Sequence, residues 1–120
     1  MRPRVLIADD HPLMLHTLIA VLADECEVVG HASNGIAAIA EARRVRPDVV
    51  VLDVSMPVMG GFDAARQITA DMPEVGVVFV TGQDDPVVAR EAFRISESPC
   101  VLKHSADTTL LAAVHKAFRR

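Results

Sequence analysis

Polar residues with complementary chemistry stand where apolar runs of this sequence stop. Val5 to Ala8 gives way to Asp9-Asp10, Val49 to Leu52 to Asp53, Val75 to Val80 to Thr81-Gly82, and Cys100 to Leu102 to Lys103. Three carboxylates brought to one crevice repel one another unless a cation or protons neutralise them. Hard oxygen donors without a His or Cys partner favour Mg²⁺, which keeps several waters and accepts phosphate oxygens. A lysine and a hydroxyl on the opposite side would receive an anion beside the metal. Carboxylate nucleophile, metal, ammonium and hydroxyl are together what phosphoryl transfer to an aspartate requires, because positioning and charge neutralisation dominate that chemistry.

Those positions converge only if the runs are strands of one sheet. With Val28 to Gly30 the runs make five short strands, and the uninterrupted Asp48-Val49-Val50-Val51-Leu52 predicts a parallel sheet covered on both faces. Helical spacing fills the gaps: Leu15, Leu18, Ile19 and Leu22; Ile36, Ile39 and Ala40; Ala65, Ile68 and Met72; Val88, Ala89, Ala92 and Phe93; Leu110, Leu111, Val114 and Phe118. Pro12 suits a first helical turn, Pro47 and Pro73 stop the second and third helices, and Ser105 is a candidate N-cap. The expectation is an α/β fold, (βα)5, a doubly wound five-stranded parallel sheet. In such sheets ligands bind beyond the carboxyl ends of the strands.

The chain's 120 residues leave room for one domain, and 51% hydrophobic residues supply its core, which excludes disorder. A formal net charge of -4 argues against direct nucleic acid binding. Cys26 and Cys100 form neither a disulfide framework nor a zinc motif, and no apolar run approaches a membrane span. A cytoplasmic protein is expected.

Over its whole length the sequence resembles the receiver domain of bacterial two-component response regulators. The residues that carry the likeness are Asp9-Asp10, Asp53-Val54-Ser55-Met56-Pro57-Val58-Met59-Gly60-Gly61, Thr81 and Lys103, in that order. Ile7-Ala8-Asp9-Asp10-His11-Pro12 looks like the opening of the branch with a C-terminal LuxR-type helix-turn-helix output domain. The resemblance implies the flavodoxin-like strand order 2-1-3-4-5 and a receiver domain over residues 1–120, with the output domain absent from this chain. It implies that Asp53 is phosphorylated from a histidine kinase phosphohistidine. Asp9, Asp10, Asp53 and the Ser55 backbone carbonyl would bind Mg²⁺, while Lys103 and Thr81 would contact the phosphoryl group. Thr81 and position 100 would form the switch that changes the surface of the fourth helix, fifth strand and fifth helix. Expected partners are a sensor histidine kinase and a second copy, through that surface or through the first and fifth helices. DNA would be met through the absent domain.

The chain departs from the family in three places. Cys100 stands where relatives carry Tyr or Phe, His104 where proline commonly follows the lysine, and Ser96-Glu97 where Gly-Ala is frequent. Without proline a cis peptide costs about 2.5 to 4 kcal/mol, so the usual reason for one after Lys103 is gone. Two rival readings remain: a receiver-like module that signals by protein contact without phosphorylation, and a DxD-type aspartyl phosphohydrolase. The second lacks an acidic residue at Ser55 and room for a cap domain. His11, the histidine adjacent to the acidic pair, reads first as a partly exposed first-turn residue and second as a group that tunes the site. Gly30 to Gly35 has the gap of a phosphate loop, but Ile36-Ala37 stand where Lys and Ser or Thr would be needed, so it reads as a turn.

Overall fold

The computed structural model describes residues 2–118; Met1, Arg119 and Arg120, which the expected domain includes, lie outside the described residues. Strands β1 (Arg4–Ala8), β2 (Glu27–Ala32), β3 (Val49–Asp53), β4 (Gly76–Thr81) and β5 (Val101–Leu102) alternate with helices α1 (Pro12–Leu22), α2 (Gly35–Val45), α3 (Gly61–Asp71), α4 (Pro86–Ser96) and α5 (Ala106–Phe118). The strands pair in parallel in the order β2-β1-β3-β4-β5. This is the doubly wound (βα)5 receiver architecture that the sequence pattern and the resemblance led to.

Alternation along each central strand divides the core. Leu6, Ala8, Val50, Leu52, Val77 and Phe79 pack with Ala38 and Ala42 of α2, Ala64, Ala65 and Ile68 of α3, and Ala92 of α4. Val5, Ile7, Val49, Val51, Val78 and Val80 meet Leu18 and Leu22 of α1 and Leu110 and Val114 of α5. All five residues of β3 are buried, which explains its unbroken apolar run.

Several local expectations are corrected. β2 is longer than Val28 to Gly30, and β5 starts at Val101, so Cys100 precedes the strand. Helix α2 buries Gly35, Ala38, Ile39 and Ala42, whereas Ile36 is 51% exposed and Ala40 faces solvent. Its phase is set by Asn34, whose side chain accepts the Ala37 N–H at 2.9 Å, and by the Gly35 N–H, which donates to the Met59 carbonyl at 2.8 Å. Helix α4 is also rotated from the expected stripe: it buries Ala92 and Ser96, and leaves Ala89 and Phe93 exposed. Asp85 fixes its start by accepting the Val87 N–H, and the Arg66–Glu91 ion pair ties it to α3. Ser105 does not cap α5. A 3₁₀ turn over Lys103–Ser105 runs directly into that helix, and the Ser105 hydroxyl donates to the Leu102 carbonyl. The peptide bonds of the described residues, Lys103–His104 included, are trans.

Candidate functional site

Strand order reverses between β1 and β3, so the connections leaving their carboxyl ends diverge and open a crevice there. Asp9 and Asp10 follow β1, Asp53 ends β3, Thr81 ends β4 and Lys103 follows β5. A cleft of about 260 Å³ is lined by His11, Asp53, Ser55, Thr81, Gly82 and Lys103, among others. Thus the structure brings the expected site residues to one end of the sheet.

Lys103 reaches back over the crevice, and its Nζ lies 3.0 Å from Asp9 Oδ2 and 3.1 Å from Asp53 Oδ2. Both carboxylates are buried. The remaining Asp53 oxygen, Oδ1, accepts the Ser55 N–H at 3.3 Å, and Asp9 Oδ1 accepts the His11 N–H at 2.9 Å. Thr81 Oγ1 accepts the Gln83 N–H, which holds the hydroxyl at the mouth of the cleft. Burial pushes the Asp53 carboxyl above its ordinary pKa and Asp9 adds to the rise, while the Lys103 hydrogen bond opposes both. For Lys103 the balance is reversed. Burial disfavours its charge, yet hydrogen bonds and charge attraction from Asp9 and Asp53 hold its pKa above that of a free lysine.

One ammonium does not satisfy three carboxylates. Asp9 Oδ2 has the Lys103 ammonium as its partner, but Asp10 Oδ1 is shielded from solvent without a hydrogen bond, and leaving such a group unmatched costs about 1 to 3 kcal/mol, more when it is charged. Ligand atoms of Asp9, Asp10, His11 and Asp53 lie within 4.8 Å of one another. An oxygen-rich donor set with an unmatched acceptor fits a divalent cation.

The loop after Asp53 is constrained from both sides. Gly61 N–H donates to the Val54 carbonyl at 3.0 Å, and Met59 accepts from α2 through Gly35. Between these anchors Val58 has φ 70°, and the Met59 N–H closes onto the Pro57 carbonyl at 2.7 Å, forming a γ-turn around a β-branched residue. That conformation is strained for valine by about 1 to 3 kcal/mol. Val58 is 82% exposed and buries little. Val58→Gly is therefore expected to stabilise the fold by about 1 kcal/mol after the added unfolded-state freedom of glycine is subtracted. Urea unfolding checks it, and a lower midpoint in the variant would show that valine is relaxed there.

Cys100 lies outside the cleft lining. It is half-buried against the α2–α3–α4 side of the core, and burial, with a smaller contribution from the Asp53 charge, pushes its thiol up to about 11. It is thus a neutral, inert thiol near neutral pH. The strained Val58 turn was not legible in the sequence. The position of the His11 ring, whose Nδ1 lies 3.2 Å from Asp10 Oδ1 and 3.4 Å from Asp9 Oδ1, was signalled only by adjacency to the acidic pair.

Comparison with known proteins bears on the family and the fold. The family model described as the response regulator receiver domain matches residues 5–115. The response regulator GacA of Pseudomonas viridiflava is 41% identical over 90 residues, covering 72% of this chain and 42% of that protein. This chain thus spans less than half the length of that curated relative. The signal receiver domain of the putative response regulator NarL from Mycobacterium tuberculosis superposes with a TM-score of 0.90 at 29% identity, covering 98% of this chain and 97% of that one. A LuxR-family two-component response regulator from Aurantimonas sp. SI85-9A1 gives 0.91 at 26% identity, covering 99% of this chain and 86% of that one. With the family match running from the first strand into the last helix, the chain belongs to the response regulator receiver domain family, and LuxR-family regulators are among the proteins it resembles, as the expected branch would have it.

Proposed function

We propose that this chain is a phosphorylation-operated switch in which Asp53 accepts a phosphoryl group from a histidine kinase phosphohistidine. The observation that carries the reading is the Lys103 ammonium bridging Asp9 and Asp53 beside Asp10 Oδ1, a shielded carboxylate oxygen that lacks a hydrogen bond. Asp9, Asp10, Asp53 and the Ser55 carbonyl would hold Mg²⁺. When bound, Mg²⁺ neutralises carboxylate and phosphoryl charge. An Asp53 oxygen attacks phosphorus; the new O–P bond forms as the N–P bond breaks, and its electron pair leaves with the donor imidazole. Lys103 then pairs with the phosphoryl oxygens, and the Thr81 hydroxyl donates to one of them. Side chains holding the group in line, rather than acid-base work, supply the catalysis.

The change at Thr81 would be read on the surface of α4, β5 and α5. Val87 and Phe93 are 70% and 54% exposed on α4, and an apolar groove of about 440 Å³ runs between β5 and α5 beside Pro99, Cys100, Leu102, Ala112 and Ala113. We take that face as the site of a partner or second copy, with the α1–α5 face as the other route to a dimer. DNA contact falls to a C-terminal output domain outside this chain, and cytoplasmic residence follows from the family. No helix among the described residues is long and apolar enough to cross a membrane.

Two results test the reading. Mg²⁺ should raise the melting temperature by binding the folded state, and a small phosphodonor with Mg²⁺ should add one phosphoryl group. Asp10→Ala should greatly reduce both. A wild-type chain that neither binds Mg²⁺ nor takes label would leave the protein-contact module as the better reading.

Cys100 favours weak coupling within either reading. An aromatic side chain can fill different spaces in two states, whereas a thiol is too small to do so. Phosphorylation or beryllofluoride should therefore shift partner or self-association affinity by less than about 1 kcal/mol, at or below the low end of ordinary allosteric coupling. Cys100→Tyr has the neighbouring groove to occupy and should enlarge the shift, and Cys100→Ala should leave it nearly unchanged. A large wild-type response lost in Cys100→Ala would show that the thiol itself transmits the signal.

A further inference from the structure

Lys103 and His11 approach different edges of the Asp9 carboxylate. The ammonium takes Oδ2, while the His11 ring lies on the Oδ1 side, with Nδ1 3.4 Å from Asp9 Oδ1 and 3.2 Å from Asp10 Oδ1. Asp10 Oδ1 is screened from solvent and accepts no hydrogen bond, from His11 or any other described group. The contact is thus a convergence of donor atoms. When one nitrogen and one oxygen bind the same ion at about 2.0 to 2.2 Å, they stand about 3.0 Å apart at octahedral angles and about 3.4 Å apart at tetrahedral ones. Both His11 contacts fall in that interval. His11 is the N-cap of α1 without a side-chain capping bond, and its side chain is 67% exposed, so an ion from solvent can reach the ring.

We propose that His11 is a nitrogen ligand that gives this pocket a preference for borderline divalent ions of the Co²⁺ and Zn²⁺ class over Mg²⁺. The inference rests on reading the pocket as a cation site and adds to it a donor of different chemistry. Mg²⁺ gains little from imidazole, whereas Co²⁺ and Zn²⁺ bind it well, and affinity for an N/O set rises through the first-row series toward copper. Because Asp9 and Asp10 serve both classes, the ions exclude one another. Transition-ion supply would therefore compete directly with the Mg²⁺ needed at Asp53.

Calorimetry with Co²⁺ alone and Mg²⁺ alone tests this on the whole chain, on His11→Ala and on His11→Gln, with His16→Ala as a control for the other histidines. The ratio of Co²⁺ to Mg²⁺ affinity should fall at least about tenfold in both His11 variants and stay at the wild-type value in His16→Ala. The visible absorption of bound Co²⁺ should change with loss of the nitrogen donor. Circular dichroism establishes that each variant is folded. An unchanged affinity ratio in both His11 variants overturns the inference while leaving the Mg²⁺ pocket standing. Failure of the wild-type chain to bind Mg²⁺ overturns the pocket reading and this inference together.

Discussion

Asp53→Asn should abolish Mg²⁺-dependent labelling by a small phosphodonor and, in the same protein, raise the urea midpoint. Labelling is lost because the amide offers no anionic oxygen to phosphorus. The stability change follows from the carboxyl's surroundings. Burial, reinforced by Asp9, raises the Asp53 pKa in the folded state despite the Lys103 hydrogen bond. An acid with a raised folded pKa contributes stability that is present below its unfolded pKa and is lost as pH rises through the folded one. At neutral pH its charge therefore opposes folding, and the neutral amide removes that opposition while Lys103 keeps Asp9 as its partner. Mass spectrometry before and after phosphodonor, with unfolding curves near pH 7 and pH 4, checks both halves. The stability advantage of the variant should shrink at the lower pH. Equal labelling of wild type and variant would remove Asp53 from the phosphoacceptor role.

Gly61→Ala should be the more damaging substitution, at about 3 kcal/mol, the upper range for overpacking. A Cβ there would stand 2.3 Å from the Asp53 carbonyl oxygen and 3.2 Å from Val54 Cα. Both obstacles are backbone, so no side-chain rotation relieves them. Either α3 or the end of β3 must move, and the latter carries the Asp53 carboxylate. The urea midpoint should fall with an unchanged slope, as in a loss of stability without a change in exposed surface. A midpoint equal to wild type would mean that strand end and helix start separate freely.

The two predictions draw on different amounts of sequence information. Asp53 was legible because strand ends announce themselves locally: a run of Val and Leu stops at a carboxylate, and parallel sheets present carboxyl ends to one side. Gly61 was legible only as part of the motif from Asp53 to Gly61; its contact with the Asp53 carbonyl follows from how closely α3 docks. The helix faces of α2 and α4 were misjudged for a related reason. In Ile36-Ala37-Ala38-Ile39-Ala40 several registers look equally amphipathic, and caps at Asn34 and Asp85 together with packing against α3 choose among them.

The sequence by itself determined the number and order of the elements, the two-sided burial of the central strand, and the carboxylates, hydroxyl and lysine that terminate the strands. Those depend on hydrophobic period and on residue type, both of which are local. Only the tertiary structure decided which oxygen faces which donor: Lys103 on Oδ2 of Asp9 and Asp53, His11 toward Oδ1 of Asp9 and Asp10, and Asp10 Oδ1 without a hydrogen bond. It also decided that Val58 is held at positive φ between anchors on α2 and α3. The Lys103 bridge and the Gly35–Met59 anchor join groups far apart in the chain at about 3 Å, a distance that strand register and helix phase set jointly. Even for the neighbouring His11, Asp9 and Asp10, residue order does not say which atoms face one another.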